Sequence, residues 1–393
     1  IEQIGETDML QSLSARLEPL LPLMVEHRKE AEKNRQLSNA VCTAIRESGL
    51  LGMPIAPQYG GLGTPLPDML QAYEAMAYED AAVSWVVWNA GLIGLYARFM
   101  PEALRRELFA NGDQMICQST IPAGELHIDG EVARVRGRWP LMSGSPSADW
   151  AVLSCRKFID GKPVIEASGN PEIVLAALPR DAFEIIDTWH SSGLRGTGSN
   201  DIEVNDATVP EYRSFGFTPD MAVAGPTDRL PIFASVSAIF AAQVLGLARA
   251  VFDHAVDRGR SIVTPGPMPD PRDRPDYQIA VARHGEALHV ASERLKAAAY
   301  AVWVRAHEGQ APAPEASTDL YAAAFFVIDA ARSAVETLHD LSGTAGLYET
   351  SPIEKPARDL HAMLRHIVAQ PFMHADVGRV KLGLEPNWPL FFV

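Results

Sequence analysis

The chain has 393 residues, 47% of them hydrophobic, and 34 Lys plus Arg against 49 Asp plus Glu give a net charge of −15. That length predicts two or three domains with a large buried core. The acidic balance, with no Lys/Arg-rich block, argues against nucleic acid and anionic membrane as partners. No apolar run reads as a transmembrane span and the first residues are acidic and polar, so a cytoplasmic protein is expected. Cys42, Cys117 and Cys155 are far apart in apolar surroundings with no Cys-x-x-Cys pair, which predicts buried thiols and no metal site.

In chain order, apolar residues at three-to-four spacing predict helices over Leu10 to Glu32, Leu37 to Ser48, Leu66 to Tyr78 and Pro101 to Phe109. Between them, residues 50 to 65 are too rich in Gly and Pro for a helix and read as an irregular loop. Near Gln114 the character changes. Strand-like runs at Val132 to Trp139, Trp150 to Ser154, Ile173 to Leu178 and Ile202 to Asp206 alternate with Gly, Pro, Asp and Ser. Long helical periodicity returns at Ile232 to Arg258, Tyr277 to His307 and Thr318 to Leu341, which suggests a bundle. The expected organisation is α+β: an α-helical domain over 1–112, a β domain over 113–216, a linker over 217–231 and a helical bundle over 232–393.

Near the C-terminus, Pro356 and Pro371 fence a run of helical spacing that contains His361 and His366. Five residues apart, the two imidazoles lie about 140° apart around a helix and cannot share a metal face. Asp359, Ala362, Met363 and His366 share one stripe. His366 is then either a satisfied core histidine or the lone imidazole of a cavity.

The stretch Gly193-Leu-Arg-Gly-Thr-Gly-Ser-Asn-Asp-Ile-Glu-Val-Asn-Asp-Ala-Thr-Val-Pro210 closely resembles the signature of the acyl-CoA dehydrogenase fold. Residues 48–63 resemble that family's first loop, and Leu341-Ser-Gly-Thr-Ala-Gly346 its late Gly-rich segment. The resemblance implies a helical domain, a β-barrel domain and a four-helix bundle, commonly a homotetramer, with flavin between the barrel and the bundle. It does not imply one reaction, because the scaffold hosts dehydrogenases and monooxygenases. A dehydrogenase needs a carboxylate base. The family's two positions for it fall on Ile367 and about Val236, and neither is acidic. The Arg-x-x-Phe-Gly grip on the adenine half of FAD also has no counterpart at Arg258-Gly-Arg-Ser-Ile-Val, so FMN can suffice.

Arg358-Asp-Leu-His-Ala-Met-Leu-Arg-His366 with Gln370-Pro371 resembles instead the family's flavin-dependent monooxygenase branch, the oxygenase components of two-component aromatic hydroxylases. That branch implies reduced FMN or FAD and O2, a C4a-hydroperoxyflavin, a separate NAD(P)H:flavin reductase and a small aromatic or heteroaromatic substrate. It assigns His366 as the catalytic base and Ser143, in Arg138-Trp-Pro-Leu-Met-Ser-Gly144, as the hydroxyl beside flavin N5. Thr120, Leu141 and Met142 fall among the other ring contacts, Ser342 and Gly343 in the late Gly-rich segment, and Arg258 or Arg260 near the phosphate or on the surface. Trp85, Trp88, Asn89 and Tyr96 either line the substrate site or are core. The substrate implied is phenol- or indole-like; where several phenol-hydroxylating relatives carry Asp-His after the Ser-Gly, this chain has Pro146 and Ser147, which counts against a simple phenol and leaves open indoles, other heteroaromatics, or oxygenation at N or S. The alternatives are a dehydrogenase with an atypical base and a flavin-storing protein without catalysis.

Overall fold

The computed structural model describes residues 13–110, 112–166, 168–217, 225–264, 267–310 and 313–393. Residues 218–224 of the expected linker, and the start of the first expected helix, lie outside the described residues. The described chain divides into two compact units. One comprises residues 1–65, 85–191 and 195–229, and the other residues 66–84, 192–194 and 230–393.

The first unit opens with α1 (Leu20–Asn34) and α2 (Asn39–Ser48), the latter capped by the Ser38 hydroxyl accepting from Val41 N–H. Two short 3-10 turns, Leu50–Gly52 and Pro57–Tyr59, occupy the loop expected there. Gly61 is required in it: a Cβ would sit 2.1 Å from the Ile55 carbonyl oxygen. The unit also holds most of α4 (Ala81–Gly91) and all of α5 (Glu102–Phe109).

Its strands form one mixed sheet in the order β6-β7-β2-β1-β3-β5-β8, with β4 paired to β3. The principal strands are β1 (Ile116–Asp129), β2 (Val132–Met142), β3 (Trp150–Ile159), β5 (Ile173–Pro179) and β7 (Asn200–Pro210). The shorter ones are β4 (Lys162–Pro163), β6 (Glu184–Ile186) and β8 (Ser214–Phe215). Alternate side chains of β1, β2, β3, β5 and β7, among them Leu126, Val135, Leu153, Ala176 and Ile202, share one apolar core. β1 pairs antiparallel with β2 but parallel with β3, and its register against β3 breaks between Ser119 and Gly124. The residues in that break, Thr120 to Ala123, leave the ladder and are exposed. Beyond the break, Gly124 faces Gly137 across the β1–β2 ladder. A Cβ on Gly124 would lie 2.0 Å from the Trp139 ring, so this glycine pair makes the space in which the buried indole lies and donates to the Ser154 carbonyl at 2.7 Å.

In the second unit, α3 (Leu66–Glu79), α6 (Ile232–Ser261), α7 (Pro275–His307) and α8 (Pro314–Leu341) pack together. Pro275 and Pro314 open their helices, where a missing N–H costs nothing. Gly246 lets α6 approach α3, since a Cβ there would lie 2.1 Å from the Glu74 carbonyl oxygen. One correction to the sequence reading concerns α6, which is long and apolar enough to cross a membrane by length and composition. Its most apolar window is 94% buried within the protein, as befits the central helix of a bundle. The unit ends with α9 (Glu354–Met363) and α10 (Pro371–Lys381).

Candidate functional site

His366 does not lie on the same helix as His361, contrary to the sequence reading. α9 stops at Met363, and His366 has extended backbone (φ −64°, ψ 148°) as the cap of a new 3-10 turn, Ile367–Ala369. The break has a local cause. Pro371 holds Gln370 extended, and Gln370 turns its amide back to the carbonyls of Leu364 and His366 at 3.1 and 3.3 Å, so the segment closes as a tight turn. Pro356 sits in the first turn of α9, not at its start.

The His366 ring is half-buried and stacks on Phe240 of α6, with centroids 5.7 Å apart. Its Nδ1 accepts from Val368 N–H at 3.5 Å, at the long limit of a hydrogen bond. Loss of water around the ring lowers its pKa from 6.5 to about 4, so the imidazole is neutral at pH 7. Val236, one turn before Phe240, is buried, and Ile367 is half-exposed beside His366. Among the described residues, no group of three or more His, Cys, Asp or Glu is disposed to hold a metal ion.

What fixes α9, and so His366, is a buried ion triad. Lys355 Nζ lies 3.1 Å from Asp80 Oδ1 and 2.6 Å from Asp359 Oδ2, and both carboxylates are only 1% exposed. Asp359 also accepts from Leu194 N–H at 2.6 Å, and Asp80 caps α4 by accepting from Ala82 N–H at 2.8 Å. Asp359 thus pairs with Lys355 and not with Arg358, whose guanidinium binds Glu354 and the Ser192 carbonyl. The first glycine of the signature now has a reason, since a Cβ on Gly193 would lie 2.3 Å from the Arg358 carbonyl oxygen.

The first unit holds the other constellation. Leu141, the penultimate residue of β2, has φ +61° and is 56% exposed. A branched apolar residue in the left-handed region costs about 1–2 kcal/mol and is a sign of function when its side chain is also left in solvent. Ser143 follows, 5% exposed. Its Oγ accepts from Trp85 Nε1 at 3.0 Å and lies 2.8 Å from Ser199 Oγ, which lies 2.6 Å from Thr197 Oγ1. Gly144 N–H donates to the Thr197 carbonyl, tying the β2 end to the signature turn. The Met142 side chain points into the sheet core, so only its backbone faces the Leu141 edge. Thr120 lies in the exposed break of β1.

Trp85 and Trp88 meet edge to face at 5.0 Å, and Asn89 binds the Trp85 carbonyl with its amide and receives Gln118 on its own carbonyl. Trp88 and Tyr96 are almost wholly enclosed, Tyr96 against Phe217. Pro146 packs against Gly198, and the Ser147 hydroxyl meets the Cys42 thiol at 3.2 Å, so a titratable pair is absent there. The three thiols are buried, and loss of water pushes Cys117 and Cys155 up to about 12. Back in the second unit, Arg258 has a buried Nε without a hydrogen-bond partner, whereas Arg260 is exposed. Ser342 Oγ donates to the His339 carbonyl, and Gly343 takes φ +58° at the start of the late Gly-rich turn.

Comparison with known proteins agrees with this architecture. Residues 19–111 match the family model for the acyl-CoA dehydrogenase N-terminal domain, and residues 238–371 that for the acyl-CoA dehydrogenase C-terminal domain. Indole-3-acetate monooxygenase of Pseudomonas putida is 27% identical, over 91% of this chain and 90% of its own. The oxygenase component of the FADH2-dependent resorcinol hydroxylase of Rhizobium sp. is also 27% identical, over 98% and 97%. Among solved structures, XiaF from Streptomyces sp., in complex with FADH2 and glycerol, superposes with a TM-score of 0.90 at 24% identity, covering 98% of this chain and 99% of its own. The dibenzothiophene monooxygenase TdsC from Paenibacillus sp. gives 0.80 at 20% identity, over 98% and 100%. The chain belongs to the acyl-CoA dehydrogenase superfamily. Within it, the chain falls in the branch of flavin-dependent monooxygenases.

Proposed function

We propose that the protein is the oxygenase component of a two-component system. It takes reduced FMN or FAD from a separate NAD(P)H:flavin reductase and places one atom of O2 on a small aromatic or heteroaromatic molecule of the indole class. The observation that carries this reading is the replacement of a base: the two positions where a dehydrogenase needs a carboxylate are Val236 and Ile367, and the titratable group there is His366, held neutral against Phe240.

The residues present suit a flavin. Leu141 offers an exposed apolar edge in a strained backbone, Ser143 offers a hydroxyl already held on two sides, and Arg258 offers a buried guanidinium N–H with no acceptor. In this reading Leu141, the Met142 backbone, Ser143 and Thr120 hold the ring, in an assembly read as a homotetramer. Reduced flavin supplies the two electrons that activate O2. Ser143 fixes a hydrogen bond at the ring edge in water-poor surroundings, which limits loss of activated oxygen as H2O2. Trp85 and Asn89 are assigned to the substrate side, whereas Trp88 and Tyr96, almost wholly enclosed, serve as the packing behind them.

His366 takes the substrate's own proton. An indole N–H or phenol O–H is a weak acid, but it becomes a strong one once oxygen has added to the ring and left it cationic. An imidazole with pKa near 4 then suffices as acceptor, and being neutral it does not protonate activated oxygen beforehand. The indole class is favoured because P. putida indole-3-acetate monooxygenase is a relative and TdsC has been solved with indole bound. Pro146 and Ser147, in place of Asp-His, weigh against a simple phenol.

An unrelated NADH:flavin reductase separated from the protein by a dialysis membrane is expected to support product formation from indole. Turnover only with NADH added directly, without any reductase, would contradict the two-component reading. For the site, Ser143→Ala is expected to raise H2O2 released per flavin oxidised by at least about threefold, as loss of one hydrogen bond to a reactive centre implies. Unchanged coupling would remove Ser143 from the ring edge.

A further inference from the structure

The hydroxyl chain behind Ser143 is more than a structural tie, because its proton count permits two arrangements. Ser143 Oγ has one proton and two lone pairs. Trp85 Nε1–H occupies one lone pair permanently, since an indole N–H only donates. The remaining proton and lone pair must be divided between Ser199 Oγ at 2.8 Å and whatever stands before Ser143. Ser199 in turn has Thr197 Oγ1 at 2.6 Å, and each of these hydroxyls can donate or accept. All four side chains are under 9% exposed, so bulk water does not settle the count.

In one arrangement Ser143 donates to Ser199 and Ser199 to Thr197, leaving the second lone pair of Ser143 for a ligand N–H. In the other, Thr197 donates to Ser199 and Ser199 to Ser143, and the Ser143 proton is offered to a ligand acceptor. Both satisfy every group from Trp85 to Ser199, and they differ only in hydroxyl rotation. We propose that Ser199 and Thr197 are positioning residues that let Ser143 serve a flavin N5 that is an N–H donor when reduced and a bare acceptor when oxidised. This rests on the reading that Ser143 meets the flavin ring. The device suits an oxygenase that must bind reduced flavin and then tolerate the oxidised ring without rebuilding its site.

The asymmetry is testable by binding alone. Without Ser199, Ser143 still donates to oxidised N5, but toward reduced N5 its proton meets another donor and has no acceptor. A buried donor left so costs about 1–3 kcal/mol. Titration of the full protein with dithionite-reduced FMN under anaerobic conditions, and separately with oxidised FMN, gives the two Kd values. Ser199→Ala is expected to weaken reduced FMN about tenfold and oxidised FMN less than about threefold. Thr197→Val keeps the volume, removes the far partner and is expected to act in the same direction, while Ser199→Thr restores the wild-type ratio. Ser143→Ala separates the two claims. If it shifts FMN affinity while Ser199→Ala and Thr197→Val leave the ratio of the two Kd values unchanged, the chain is only structural and the inference is overturned. If Ser143→Ala alters neither Kd, Ser143 does not meet the flavin and the underlying reading fails.

Discussion

Replacing His366 with alanine is expected to lower product formation by about 10²-fold or more, the scale of lost proton-transfer catalysis. The Kd for reduced flavin should move by less than about threefold, because the imidazole is assigned to the substrate. Coupled turnover with indole, beside an anaerobic flavin titration, checks both halves, and wild-type turnover would end the assignment. The same residue makes a pH prediction with a definite sign. Burial lowers the folded pKa from 6.5 to about 4, so below pH 6.5 the unfolded chain binds a proton that the folded chain refuses. The contribution to stability is therefore complete above pH 6.5 and falls as pH drops toward 4, by on the order of 3 kcal/mol for this group. His284 and His374 are lowered by burial as well, so the informative quantity is a difference. His366→Gln should lose less urea stability between pH 7 and pH 4.5 than the wild type does, and equal losses would contradict the buried, neutral imidazole.

Lys355→Met is expected to destabilise the protein by about 3–5 kcal/mol, because it strands two carboxylates in the interior. Asp80 and Asp359 are each 1% exposed, and they share Lys355 as their buried cation. Asp80 also accepts from Ala82 N–H and Asp359 from Leu194 N–H, backbone donors that bring no charge to replace the ammonium. A urea midpoint series at pH 7 measures the loss, and a change under about 1 kcal/mol would show that the triad does not hold α9. Since α9 ends three residues before His366, the variant should also lose coupled product formation at temperatures where it remains folded.

The elements that periodicity can reveal were legible in the sequence. The long helices of the second unit begin at Ile232, Pro275 and Pro314, close to Ile232, Tyr277 and Thr318, where apolar spacing places them, and β2, β3, β5 and β7 stand on runs rich in Val, Ile and Leu. β1 escaped because Thr120-Ile-Pro-Ala123 leaves the ladder in its middle and interrupts the alternation, although that interruption is what exposes Thr120. The helix expected through His366 failed for a tertiary reason: the turn is closed by Gln370 reaching back to two carbonyls, which no local propensity encodes.

The site was legible as residue types at motif positions, but its supports were not. Ser199 and Thr197 stand in the signature, yet only the β2–β7 pairing, with Met142 opposite Asn200, brings them to Ser143 across more than fifty residues. Lys355 looks like an ordinary helix-surface lysine until Asp80 arrives from 275 residues away. A lysine directly preceding Pro356 in the first turn of a helix that also carries Asp359 four residues on was the one available hint.

The most direct test of the central claim follows the oxygen atom. The protein, supplied with FMN by a reductase and NADH, is incubated with indole under 18O2, and the product is examined by mass spectrometry. One 18O atom in an indole-derived product, with the second leaving as water, is the predicted result. Complete conversion of 18O2 to labelled H2O2 with no oxygenated product from indole or related heteroaromatics, or a product carrying oxygen only from water, would contradict the monooxygenase reading.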